Sequence, residues 1–110
     1  MKEQSPVHRN SLLNGEEHHL YAFFDMQLQE TFKYGISSDP IQTDGLSRRI
    51  SRQLEIFNLA AGWNRYTASI IVTEIQGRRA AEALEDQYIA QFEAEFGRLP
   101  RGNKRKNRAG

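Results

Sequence analysis

The chain has 110 residues, enough for one domain with a modest core. Its composition, 38% hydrophobic and 26% charged, is that of an ordinary soluble globular protein, and no apolar run approaches the roughly 18 residues that span a membrane. It has no cysteine, which excludes disulfides and thiolate metal sites, and its net charge of +1 is small but unevenly spread.

Residues 1–18 are polar and without periodicity, and are expected to be a flexible N-terminal segment. Met1 to Gln4 lack the apolar region of a signal peptide, so no export signal of that kind is expected; routes that read other signals stay open. His8, His18 and His19 fall in or beside this segment. No third ligand stands at a suitable spacing from the His18-His19 pair, so exposed histidines preceding a strand are expected.

Leu20 to Phe24 has the aromatic-rich pattern of a strand, Asp25 to Glu30 is a hairpin loop, and Thr31 to Ile36 is a second strand ending in the turn cluster Ser37 to Pro40. So short a connection makes the pair antiparallel. Tyr21 and Phe23 share one face. Phe32, Tyr34 and Ile36 are expected to share another, with Lys33 and Gly35 opposite them. After the turn signal Asp44-Gly45, apolar residues Leu46, Ile50, Leu54 and Phe57 predict a helix from about Leu46 to Asn58. Tyr66 to Ile75 is the third strand, and its apolar run Ile70-Ile71-Val72 predicts a central or well-covered position. A helix from about Arg78 to Phe96 follows Gly77 and stops at Gly97. The order β-β-α-β-α defines a small α/β domain: a three-stranded antiparallel sheet flanked by helices, over residues 19–103, with a basic tail at 104–110.

Six of the fifteen basic residues lie between Arg98 and Gly110, a stretch without an acid, leaving nine basic against fourteen acidic residues elsewhere. A basic tail on an acidic body suits a polyanion partner through counterion release; a solvated tail has the same composition.

Polar residues interrupt both helical stripes. Glu85 lies among Ala81, Leu84, Tyr88, Ile89, Phe92 and Phe96 on the last helix. A buried carboxylate needs a cation, a hydrogen-bond network or a proton, and an arginine of the first helix is the simplest partner. Arg49 and Gln53 share a face beside the first helix's apolar stripe, flanked by Arg48 and Arg52. A guanidinium there can pair with Glu85 or clamp a phosphate oxygen. Two helices each pushing a polar group into one side of the sheet make a pocket. Tyr21 and Tyr34 are either acid/base or positioning groups of that pocket, or core aromatics with wet tips.

Together these residues resemble the GIY-YIG nuclease family, the URI nuclease fold, over about residues 20–103. Leu20-Tyr21-Ala22 is similar to its first tyrosine motif and Lys33-Tyr34-Gly35-Ile36-Ser37 to its second. Ser47-Arg48-Arg49-Ile50 resembles the helix bearing the family's arginine, Leu84 to Ile89 the helix bearing its metal-binding glutamate, and Pro100-Arg101-Gly102-Asn103 its Pro-x-x-Asn ending. The order of motifs is more specific than any one of them. The chain departs from the pattern in three places. Lys33 stands where tyrosine is frequent, which puts Tyr34 on the opposite face. Gln53 stands where histidine or tyrosine is common, and an amide is no base at neutral pH. The loop between Gly35 and Arg49 is longer than usual, which bears on substrate choice. The strand end Lys33 to Ser37, the Arg49-Ile50-Gln53 face, the Ile75 to Arg78 turn and the Leu99 to Lys104 tail also resemble URI-type C-terminal domains of bacterial polymorphic toxins. A short piece with a shapeless N-terminus fits the tip of a larger carrier.

The resemblance implies an endonuclease acting on double-stranded DNA with one Mg²⁺ (or Mn²⁺) held by Glu85. It implies Arg49 on the scissile phosphate, Tyr21 with Lys33 positioning or deprotonating the attacking water, Tyr34 and Gln53 in the site, and Asn103 closing it. Arg48, Arg52, Arg78, Arg101, Lys104, Arg105 and Lys106 are expected to grip backbone phosphates. A toxin of this kind implies delivery by a secreted carrier, action in a bacterial cytoplasm and an immunity protein as partner. A nuclease of repair or mobile-element type and a non-catalytic nucleic-acid-binding module are the alternatives.

Overall fold

The computed structural model describes residues 16–104, so His8, Arg105 and Lys106 lie outside the described residues. The elements run β1 (Glu17–Asp25), β2 (Glu30–Ser37), α1 (Arg48–Ala61), β3 (Tyr66–Gln76) and α2 (Arg78–Phe96). The three strands form one antiparallel sheet in the order β2-β1-β3, with α1 packed on one face and α2 on the other.

The strand at the centre is β1, not β3. Paired on both edges and covered on both faces, β1 buries six residues in succession, from His18 to Phe23. The apolar run in β3 belongs to an edge strand, and Ile71 is 40% exposed. The pairing explains it: Tyr21 faces Ile70 while Leu20 faces Val72, so Ile71 is an extra, bulged residue outside the alternation. The histidines are also corrected. His18 and His19 lie inside β1 and are buried, because the strand begins at Glu17 rather than Leu20.

Alternation along β1 divides the core in two. Leu20 packs with Ile75 and Ala81 on the α2 face, joined by Tyr34, Ile36, Val72, Leu84 and Tyr88. Tyr21 and Phe23 pack with Ile50 on the α1 face, joined by Leu46, Leu54, Phe57 and Ile70. Phe32 departs from its expected face. Phe23 pairs with Lys33 but Phe24 with Thr31, so Phe32 is bulged and turns to the α1 side, its ring 5.3 Å from Phe57 and 4.7 Å from Tyr66.

Helix α1 starts two residues later than its apolar stripe because Ser47 caps it, its hydroxyl accepting from the Ile50 N–H at 3.3 Å. Leu46 therefore packs on the core from outside the helix. The β1–β2 hairpin is fastened by Asp25. Its carboxylate accepts from the N–H groups of Gln27 (2.9 Å) and Leu28 (3.1 Å) and from Arg65 through Nε (3.0 Å) and Nη2 (2.8 Å).

Phe23 is fully buried with its ring edge-on to Tyr21 (5.5 Å) and Phe57 (5.0 Å). Phe23→Ala is expected to destabilise the domain by about 3–5 kcal/mol in urea unfolding, the usual range for a buried Phe. The Arg65 hydrogen bonds, with those of Leu28 and Gln27, hold the Asp25 carboxyl below the ordinary carboxylate range. The stabilisation that follows from a depressed pKa is complete above the unfolded value and fades as pH falls through the folded one. Asp25→Asn is therefore expected to be less stable than wild type at neutral pH, with the gap closing on acidification, measured as urea midpoints between pH 7 and pH 3.

Candidate active site

The register of the sheet assembles the site. Tyr21 stands opposite Gly35, and Phe23 opposite Lys33, so Tyr21 and Lys33 emerge on the α1 face. Gly35 is required there: a Cβ at this position would lie 2.5 Å from the Tyr21 hydroxyl oxygen and 2.7 Å from Cε1. The phenol thus lies flat over the backbone of β2, which only glycine permits. Gln53, one turn beyond Arg49 on α1, reaches down to both strands. Its Nε2 donates to the Tyr21 hydroxyl oxygen (3.2 Å) and its Oε1 accepts from Lys33 Nζ (3.4 Å).

Lys33 is where the charges of the two helices meet. Burial lowers its pKa, the positive charge of Arg49 lowers it further, and the carboxylate of Glu85 acts in the opposite direction. Arg49 comes from α1 and Glu85 from α2, which cover opposite faces of the sheet. The expected pocket between two helices on one side is therefore corrected: Arg49 and Glu85 act on Lys33 from opposite faces of the sheet. Glu85 is 8% exposed and lies in the buried stripe Ala81, Glu85, Ile89, Phe92 of α2.

A cleft of about 1050 Å³ opens beside these groups, lined by Arg48, Arg49, Arg52, Gln53, Ser51 and Glu55 of α1 and by Asp39, Pro40 and Gln42. The last three belong to the long loop before α1, which folds on itself through Gln42 N–H to Leu46 O (2.8 Å) and Gly45 N–H to Gln42 O (2.9 Å) and forms one wall of the cleft.

Two further expected site residues take no part in the Tyr21–Gln53–Lys33 hydrogen-bonded chain. Tyr34 is on the α2 face, its ring 5.5 Å from Tyr88. Asn103 does not close a pocket with its amide. Its Oδ1 accepts from Tyr34 N–H (2.9 Å), its Nδ2 donates to Tyr34 C=O (3.0 Å), and the neighbouring Gly102 N–H donates to Phe32 C=O (2.7 Å). The Pro100 to Asn103 segment is a strap that satisfies the outer backbone groups of β2.

One residue expected to be exposed is buried beside Tyr21. His19 lies on the same face as Tyr21, ring centroids 6.2 Å apart, 3% exposed, and its Nε2 has no hydrogen-bond partner among the described residues. Burial lowers its pKa, against the pull of Asp39. Its position two residues before Tyr21 is the signal in the sequence, because alternate residues of a strand share a face. Among the described residues no group of three or more His, Asp or Glu side chains could hold a metal ion.

A family model described as URI fold toxin 2 matches residues 11–97. The chain belongs to this family of URI-fold toxins. No curated protein and no solved structure matches it.

In this URI-fold toxin domain the basic residues fall into two groups. Arg48, Arg49 and Arg52 are exposed along the cleft. Arg78 is instead paired with Glu82 at 2.9 Å, and Arg101 lies 3.6 Å from Glu30, which Arg98 also grips at 2.9 Å on both oxygens. The start of the basic tail therefore anchors the strap, and Lys104 follows it exposed. Asn103→Ala is expected to loosen the strap and destabilise the domain by about 1–3 kcal/mol, since two backbone groups lose their partner. Amide hydrogen exchange at Tyr34 checks it, with faster exchange expected in the variant.

Proposed function

We propose that this toxin domain is a metal-dependent endonuclease of GIY-YIG type that hydrolyses phosphodiester bonds, with double-stranded DNA as substrate. The observation that carries the reading is the chain Tyr21–Gln53–Lys33, which joins a phenol, an amide and a cation from three separate segments, with the charges of Arg49 and Glu85 both acting on the lysine. The arginine ridge of α1 beside the cleft supports a polyanionic substrate held by its backbone phosphates. The family match to toxins supports an effector over a repair or mobile-element nuclease.

The metal assignment rests on one buried carboxylate, since no cluster of three or more His, Asp or Glu side chains is present among the described residues. Glu85, in a chain without cysteine, would be the protein ligand of a hard cation such as Mg²⁺ or Mn²⁺, an ion that needs few protein ligands because it keeps several waters. When bound, such an ion supplies positive charge against the developing charge of the leaving oxygen. Arg49 holds a non-bridging oxygen of the scissile phosphate, and the Tyr21–Gln53–Lys33 chain orders the groups beside it. A water oxygen forms the new bond to phosphorus as one of its protons passes to solvent, the P–O3′ bond breaks, and the 3′ oxygen takes a proton from solvent and leaves as a hydroxyl. Arg48 and Arg52 hold flanking phosphates; Lys104 and the basic tail extend that grip.

The same reading places the action in a bacterial cytoplasm reached by way of a secreted carrier. It gives the domain an immunity protein as partner, acidic enough to cover the arginine ridge. No helix among the described residues is long and apolar enough to cross a membrane.

Plasmid cleavage with Mg²⁺ or EDTA, run beside expression in bacteria, tests the function. Wild type is expected to nick or cut DNA only with the metal and to kill. Glu85→Gln is expected to lose both effects while retaining DNA binding, and Arg49→Ala to lose about 10²–10³-fold in rate, the scale of one positioned transition-state donor. Cleavage of equal rate in EDTA, or by Glu85→Gln, would sink the metal assignment. Binding without cleavage by wild type would make this a non-catalytic module.

A further inference from the structure

The two departures from the family pattern, Lys33 and Gln53, touch each other, and Gln53 joins Lys33 to Tyr21. An ammonium has donors only, so the amide oxygen must face Lys33, as it does at 3.4 Å. The amide NH₂ is thereby turned to Tyr21, and the phenolic oxygen is an acceptor at 3.2 Å. The polarity of the whole chain is set from the lysine end.

Tyr21 itself is sealed. It is 2% exposed, its ring lies over Gly35, Phe23 stands edge-on at 5.5 Å and His19 at 6.2 Å. Its hydroxyl is met by the Gln53 amide. Lys33 and Gln53 are only partly buried, and Gln53 lines the arginine cleft. Lys33 Nζ lies 5.9 Å from the centroid of Phe57. Burial and Arg49 both work against the lysine's charge and the Glu85 carboxylate works for it, while the Gln53 amide oxygen fixes where the ammonium sits.

Resting on the nuclease reading above, we propose that Tyr21 is a positioning residue that acts through Gln53, and that the group these two aim at a substrate phosphate oxygen is the Lys33 ammonium. Tyr21 holds the amide, the amide holds the ammonium, and the ammonium with Arg49 meets the anion. The tyrosine at this position does not touch the reacting atoms in this chain.

A double-mutant cycle decides it. Plasmid cleavage rates with Mg²⁺ are measured for wild type, Tyr21→Phe, Gln53→Met and the double variant. Each single change is expected to slow cleavage about tenfold or more, and the double variant to be no slower than the worse single one. Multiplying losses, with Tyr21→Phe still slowing the Gln53→Met protein tenfold, would overturn the proposal. Should Gln53→Met not fold, Gln53→Glu replaces it. The carboxylate still holds Lys33, so Tyr21→Phe is expected to slow that protein less than twofold, and a tenfold slowing overturns the proposal. The side-chain NMR resonances of Lys33 provide a readout independent of activity. Tyr21→Phe and Gln53→Met are expected to move them alike and to shift the lysine's titration, and a Tyr21→Phe protein with unmoved Lys33 signals overturns the proposal. If wild type does not cleave, the nuclease reading fails, while the lysine resonances still report whether Tyr21 positions Lys33.

Discussion

Strand β1 is hydrogen-bonded along both edges, and this double pairing leaves its side chains no freedom except to alternate between two helix-covered faces. Tyr21 and Phe23 go to α1, and Leu20 goes to α2. Everything else in the site is placed relative to that alternation. Because Gly35 faces Tyr21 and Lys33 faces Phe23, the phenol, the missing side chain and the lysine stand in one row. A slip of one residue would send the row to the opposite helix and exchange the two cores. Register here sets the row of polar groups as well as the packing.

The edges of the sheet are handled in different ways. On β2, the Pro100 to Asn103 strap takes up the outer groups of Phe32 and Tyr34, and Glu30 fastens the strap through Arg98 and Arg101. On β3, the register shifts opposite His18–Leu20 and Leu20–Tyr21 break the regular ladder, and Glu74 takes a positive φ of 59° at one of them. Both devices make an edge unsuitable for pairing with another chain. The buried carboxylate Asp25 and the partly buried Glu30 are each met by arginine.

Those ion pairs also sort the arginines. Arg65, Arg78, Arg98 and Arg101 are engaged with carboxylates of this chain, whereas Arg48, Arg49 and Arg52 line the cleft. A net charge of +1 conceals this separation. Basic residues are counted equally by composition, but a guanidinium bound to a buried carboxylate offers less to a phosphate than one facing a cleft. The long loop before α1 supplies the facing wall of that cleft, so its length shapes the space in which a substrate lies.

The two helices, the antiparallel hairpin and the stripe Leu46, Ile50, Leu54 and Phe57 were legible because local periodicity carries them. So was the anomaly of Glu85, a carboxylate on an apolar face. Strand order was not legible. An apolar run reads the same in a central strand as in a bulged edge strand, and only pairing distinguishes β1 from β3. Phe32 changed face for the same reason, since a bulge is a property of two strands together. Asn103 was recognised by its motif, but its contacts with the Tyr34 backbone depend on a chain end returning across 69 residues. The sequence by itself determined which chemical groups are present and at what local spacing. Tertiary structure alone decided that Tyr21, Gln53 and Lys33 join in one hydrogen-bonded chain, because contacts between distant segments are set by register and burial rather than by neighbours along the chain.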